Sequence, residues 1–259
     1  MFKINLTFLA IFISLFCMCV QKEPRIPRNN PLDPFGINYI LPIDSSLVVY
    51  LPFSGNADNK SIYTITTIVK GASLTADRFG NQNSAYQFNG ITNCIEVADS
   101  SVISFTNTQN FTVSFWLKTS SSKVNMLPVM KYRYNNPTGY FFVINHSAPN
   151  YCNGTGIISF VVGTGSPACD SIPINDNLWH HIVGTYSASE NILTLYVDGI
   201  AKTKTGKRAY DLPVQSPLLI GGLPNIYPYE GCLDDIRIYN RILSSSEILS
   251  LYHEKGWQL

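Results

Sequence analysis

The chain has 259 residues, 45% of them hydrophobic and only 14% charged, with a formal net charge of +1. That length suits one large all-β domain or two small domains, and the apolar share is enough to bury a sizeable core. Lysines and arginines are scattered rather than clustered, which argues against the basic stripe that nucleic-acid binding needs to neutralise phosphates. Tyr, Phe, Ser, Thr, Asn and Gly are plentiful, a bias toward strands and turns rather than helices.

Residues 1–20 read as an export signal. Lys3 supplies the positive charge, and Ile4 to Phe16 is apolar except for Asn5, Thr7 and Ser14. The run is short for a membrane span, which takes about 20 apolar residues. Cys17 and Cys19 close it. The layout resembles a bacterial lipoprotein signal, in which the cysteine after the apolar run becomes the lipidated N-terminus; Cys17 and Cys19 are equal candidates. Residues 21–44 carry Pro24, Pro27, Pro31, Pro34 and Pro42 and read as an extended tether.

From residue 45 to residue 259 the pattern is that of one domain of short strands separated by turn signals. Leu47 to Leu51 is apolar and β-branched, and Ser84 to Phe88 leads through Asn89-Gly90 to Cys94 to Val97. Phe111, Val113, Phe115 and Leu117 alternate with Thr112, Ser114, Trp116 and Lys118, the period of a strand. Tyr140 to Ile144 and Ile157 to Val162 are apolar runs. His181 to Tyr186 and Ile192 to Val197 form a hairpin, and Asp198-Gly199 is a type I′ turn signal. Leu218 to Ile220 and Leu233 to Tyr239 complete the set. This spacing predicts a sandwich of two antiparallel sheets. One short helix is expected near the end, where Ser244 and Glu247 have the spacing of a capping box and Ile248, Leu249, Leu251 and Tyr252 give an apolar side. It is expected across one end of the sandwich.

Four cysteines remain after the signal: Cys94, Cys152, Cys169 and Cys232. An even number in an exported chain suggests two disulfides, with three connectivities open. No close pair has zinc-site spacing. His180 and His181 are neighbours on a strand, so they point to opposite faces. By the same alternation Asp234, Ile236 and Ile238 share one face, and Asp235, Arg237 and Tyr239 the other. An acid beside apolar residues needs a cation, an arginine or backbone N–H partners.

The segments LVVYLPFSGNADNKS, LTADRFGNQNSAYQFNG, FTVSFWLKT, LWHHIVGTYSASENILTLYVDG, PLLIGG and YEGCLDDIRIYNRILSSSEILSLY cover nearly all of Leu47 to Tyr252. In that order they resemble the laminin G-like, concanavalin A-like jelly rolls of bacterial surface proteins. The resemblance implies an all-β, two-sheet antiparallel jelly-roll sandwich with a non-enzymatic recognition role. It also implies a structural Ca²⁺ between the loop after the first strand and the acidic start of the last, which places Asp58 and Asp234 as ligands. The chain departs from that pattern after Ser61, where Ile62 to Ile65 follow. The family's strand order further implies a Cys94–Cys232 bridge, leaving Cys152 to pair with Cys169.

The fold also carries glycoside hydrolases, which need two carboxylates across a cleft. The glutamates Glu96, Glu190, Glu230, Glu247 and Glu254 lack matching acidic partners, and adjacent Asp234 and Asp235 are expected to diverge. No nucleophile elbow or phosphate loop is present. The expected partner is therefore a glycan, with an extracellular protein ligand or a purely structural envelope role as alternatives. Contact with a membrane is expected only through the N-terminal lipid. Tyr132 and Tyr134, and Tyr227 and Tyr229, sit in segments rich in aromatic and amide groups that suit sugar binding.

Overall fold

The computed structural model describes residues 43–133, 138–148, 152, 154–206, 215–254 and 257. The expected signal, Cys17 and Cys19, nearly all of the tether, and Tyr134 lie outside them.

In chain order the strands begin with β1 (Leu47–Leu51), β2 (Thr67–Lys70), β3 (Ser73–Thr75), β4 (Ala85–Asn89), β5 (Cys94–Val97) and β6 (Phe111–Lys118). They continue with β7 (Val129–Arg133), β8 (Thr138–Ile144), β9 (Ile158–Val162), β10 (Ala168–Cys169), β11 (Trp179–Ser187) and β12 (Ile192–Val197). The last are β13 (Ile200–Gly206), β14 (Leu218–Ile220), β15 (Gly222–Leu223), β16 (Tyr227–Pro228) and β17 (Glu230–Tyr239), followed by the helix α1 (Ser245–Tyr252). One sheet runs β13-β12-β11-β6-β17-β4-β3, with β1 also paired to β17. The facing sheet runs β10-β9-β8-β7-β14-β5-β2, and β15 and β16 form a small separate ribbon. All strand pairs are antiparallel, as the resemblance implies for a jelly-roll sandwich.

The predicted alternation in β6 sends Phe111, Val113, Phe115 and Leu117 into the core between the sheets, while Trp116 joins a cluster on the outer side. Phe142 and Phe160 stack with ring centroids 4.6 Å apart. They fill the space over Gly184, where a Cβ would sit 2.7 Å from the Phe142 ring, so glycine is needed there. The Asp198-Gly199 turn joins β12 to β13 with φ of 53° and 75°, the left-handed pair of a type I′ turn. The Asn89-Gly90 turn does a different job: β4 and β5 lie in different sheets, so it carries the chain across the sandwich.

The capping box forms as predicted, Ser244 accepting from the Glu247 N–H and Glu247 from the Ser244 N–H. The helix lies over the outer face of the β11–β12 region, not across one end: Ile248 and Leu251 pack with Val183, Tyr196 and Tyr239. The alternation of β11 and β12 leaves those apolar side chains pointing out of the sandwich, and the helix covers them.

Cys152 and Cys169 are bonded, with Cα atoms 6.0 Å apart and a sequence separation of 17. A cross-link of that span stabilises by about 3 kcal/mol in the chain-entropy picture. Cys94 and Cys232 are both free, which corrects the family-based pairing. Cys232 packs against Trp116 and Trp179 outside the eight-stranded sheet. Cys94 alternates with the core residues Ile95 and Val97 and so faces out of the other sheet. The two thiols point away from each other across the full sandwich.

Candidate ligand-binding site

Over β7, β8, β9 and β14 the seven-stranded sheet is apolar on both faces. Its inner face packs in the core; on its outer face Leu127, Met130, Phe141, Val143, Val161 and Leu219 form a second cluster. The unbroken apolar runs of β8 and β9 dictate this, because strands with two apolar faces lose the alternation of a half-exposed strand. Half-buried Tyr132, Leu223 and Tyr227 edge the cluster. They and the 125–127 and 146–148 segments enclose a cleft of about 320 Å³.

Each wall has a local cause. Lys131 and Tyr132 are neighbours on β7, so they part: the Lys131 ammonium is buried against Asp99 Oδ1 at 2.6 Å, and Tyr132 turns outward. The Tyr132 ring meets Phe141 edge-on, centroids 4.9 Å apart, and is thereby oriented. Tyr227 is carried by the β15–β16 ribbon, where Leu223 pairs with it. Asn125 and Ser147 hold the rim, the Ser147 N–H donating to Asn125 Oδ1 at 2.9 Å. His146 Nδ1 accepts from the Ala148 N–H at 2.9 Å, so the neutral ring carries its proton on Nε2. Burial pushes the His146 pKa down, which keeps the ring neutral near pH 7. None of the described residues lining the cleft is a carboxylate, lysine or arginine. The cleft offers aromatic faces, aliphatic floor and neutral hydrogen-bonding groups.

Of the four tyrosines singled out in the sequence, the structure brings Tyr132 and Tyr227 to this one cleft. Tyr229 is a correction: it is fully buried, its ring packed on Phe88 and its hydroxyl donating to the Lys118 carbonyl at 3.0 Å. Strict alternation would put both rings on one face, but the ribbon strand ends at Pro228 and β17 begins at Glu230, so Tyr229 falls where the chain passes from the ribbon into the large sheet and turns into the core. Leu127, Met130 and Phe141 were not foreseen as site residues; the unbroken Tyr140 to Ile144 run was the available signal.

A buried ionic cluster lies on the opposite side of the molecule. Asp234 and Asp235 do not diverge. A β-bulge falls between Asp234 and Arg237, and Asp235 has φ of 47°, so both carboxylates emerge on the outer side while Leu233 and Ile236 stay in the core. Arg78 Nη1 donates to Asp234 Oδ2 at 2.8 Å; its Nη2 lies 2.8 Å from Asp235 Oδ2, off the hydrogen-bond direction but within an ion pair. Burial and the adjacent Asp235 charge push Asp234 well above the ordinary carboxylate range, with Arg78 pulling the other way. Asp58, the other predicted calcium ligand, is mostly exposed and pairs with Lys60 at 3.1 Å. Ser114 Oγ and His181 Nε2 are 2.8 Å apart, the separation of a nucleophile and its base. Both are buried, and the His181 ring is stacked on Trp116, so no substrate reaches them. Burial and the charges of Arg78 and Arg237 hold His181 well below its ordinary pKa, in the neutral form.

His180 faces the other side of β11, where its Nδ1 is 2.8 Å from Asp198 and its Nε2 is 3.1 Å from Asp176. Burial alone would lower its pKa, but the two carboxylates outweigh burial and raise it above 6.5. A raised folded-state pKa stabilises fully below the unfolded value of about 6.5 and ceases to do so above the folded one. Denaturant midpoints are therefore expected to fall as pH rises from about 6 through the folded-state pKa of His180. Asp198→Asn is expected to flatten that slope; a variant with the wild-type slope contradicts the assignment.

The family described as the concanavalin A-like lectin/glucanases superfamily matches residues 88–249. Among solved structures, the binding domain of Paraclostridial Mosquitocidal Protein 1 superposes with a TM-score of 0.66 at 20% identity, over 82% of this chain and 53% of that one. The binding domain of Botulinum neurotoxin DC, in complex with rat synaptotagmin II, gives 0.62 at 12% identity, over 82% and 52%. Domain 4 of AbnA, a GH43 extracellular arabinanase from Geobacillus stearothermophilus, in complex with arabinotriose, gives 0.62 at 15% identity, over 80% of this chain and 98% of that one. The chain thus spans about half the length of the toxin domains and nearly all of the arabinanase domain. At these identities the likeness is one of fold.

Proposed function

The chain belongs to the concanavalin A-like lectin/glucanase superfamily, and from that premise we propose that it is a non-enzymatic recognition module that binds carbohydrate in the Tyr132–Tyr227 cleft. One observation carries the reading: the outer face of the seven-stranded sheet keeps an apolar, tyrosine-walled cleft in which no described residue is charged. Tyrosine rings offer flat apolar faces to a sugar ring, and Asn125, His146 and Ser147 offer hydrogen bonds to its hydroxyls. A glycosidase would need paired carboxylates at such a place. The arabinotriose complex of a similarly folded domain supports the same class of ligand.

The module acts outside the cell in this reading, held there by a lipid on Cys17 or Cys19. The Cys152–Cys169 bridge supports an oxidising compartment. No helix among the described residues is long and apolar enough to cross a membrane.

A glycan array followed by calorimetry tests the reading. Tyr132→Ala and Tyr227→Ala are each expected to weaken binding about tenfold or more, the loss of roughly 1.4 kcal/mol. An array hit whose affinity ignores both substitutions contradicts it. A protein ligand is the second reading, favoured by Val124 and Ile226, which are 65% and 60% exposed beside the cleft residues Asn125 and Tyr227. A silent array with a positive pull-down against matrix proteins selects it.

A further inference from the structure

Calcium needs six to eight oxygens gathered around one point. The residues implied as its ligands do not supply them. Asp234 Oδ2 accepts from Arg78, and its Oδ1 accepts the Asp235 N–H at 2.7 Å. Asp58 is engaged by Lys60. Among the described residues no group of three or more acidic, histidine or cysteine side chains could hold a metal.

A cation is nevertheless present at this place. The Arg78 guanidinium is buried, its side chain 1% exposed. It is 4.6 Å from the Phe79 ring centre and 4.4 Å from that of Trp116, so aromatic faces supplement the two carboxylates. Its two terminal nitrogens reach two separate carboxylates, a task for which the planar fork is suited and a lysine is not. The seat exists only because the bulge at Asp235 turns consecutive acids to one side. Arg78 lies 156 residues from Asp234, in the loop between β3 and β4, so the contact fastens that loop to the last strand.

We propose that Arg78 takes the place of the ion implied at Asp234, so that a side-chain cation closes the sandwich and the protein is stable without calcium. Thermal unfolding of the full chain in calcium and in chelator reads this directly. The wild type is expected to melt at the same temperature in both. Arg78→Ala strips buried Asp234 of its cation and leaves Asp235 only the 3.7 Å contact with Arg237; it is expected to melt about 10 °C lower in chelator, with part of that loss recovered on adding calcium. Should R78A fail to accumulate, R78K keeps the charge without the fork and is expected to melt several degrees below wild type. A calcium-dependent rise in the wild type that Asp234→Ala removes overturns the proposal. So does an R78A protein that melts like wild type in chelator, or, where R78A is not obtained, an R78K protein that melts like wild type.

Discussion

Gly222→Ala is expected to melt about 10 °C below wild type and to lose ligand binding together with stability. Gly222 opens the β15–β16 ribbon with φ of 90°, a region that alanine enters only with strain. An added Cβ would also sit 2.3 Å from the Tyr227 carbonyl oxygen and 3.0 Å from the Leu127 oxygen and the Tyr229 nitrogen. All three are backbone atoms that cannot rotate away. Strain and collision together should cost about 3 kcal/mol. The ribbon must shift, and it carries Tyr227 into the cleft wall. Gly80→Ala separates the two causes: φ there is 87°, but nothing lies within 4 Å of the added Cβ. It should cost about 1 kcal/mol and leave binding intact. Equal losses in the two variants would mean that backbone strain alone acts and the ribbon contact does not matter.

Arg237→Ala is expected to cost about 3–5 kcal/mol, because it strands buried charge rather than removing a surface pair. The guanidinium stands 2.6 Å from Glu254 and 3.7 Å from Asp235, donates to the Tyr50 hydroxyl at 3.2 Å and covers the Tyr50 ring. It joins β17 to the chain just beyond α1, where Trp257 packs against Trp116 and Phe79. Glu254→Ala alone should also destabilise, and the double variant should cost clearly less than the two added, since neither charge is then left without its partner. Denaturant titration of the four proteins gives the coupling; strict additivity would show that the pair acts independently.

The sheets were largely legible in the chain because their cause is local. Alternation in β6, the Asp198-Gly199 turn and the Ser244–Glu247 box each act within a few residues. The site was half legible. Tyr132 and Tyr227 are apparent as aromatic residues in polar segments, but choosing Tyr227 over Tyr229 requires knowing that the ribbon ends at Pro228 and the chain turns toward the core before β17. The disulfide between Cys94 and Cys232 failed for a related reason: strand order in a family does not say which face of each strand a thiol leaves from. The bulge at Asp235 is the sharpest case. One residue in a left-handed conformation reverses the face of its neighbour and turns two diverging acids into one seat. Nothing in Leu-Asp-Asp-Ile-Arg marks it. The partner that fixes it, Arg78, is 156 residues away.

Recognition through the outer face of the seven-stranded sheet is best tested by titrating the protein, with its tyrosine rings isotopically labelled, against the neutral oligosaccharide that scores highest on an array. The ring resonances of Tyr132 and Tyr227 should move along one saturable curve, while those of core-buried Tyr186 and Tyr229 stay in place. Saturable binding that leaves both cleft tyrosines unmoved would contradict the assignment.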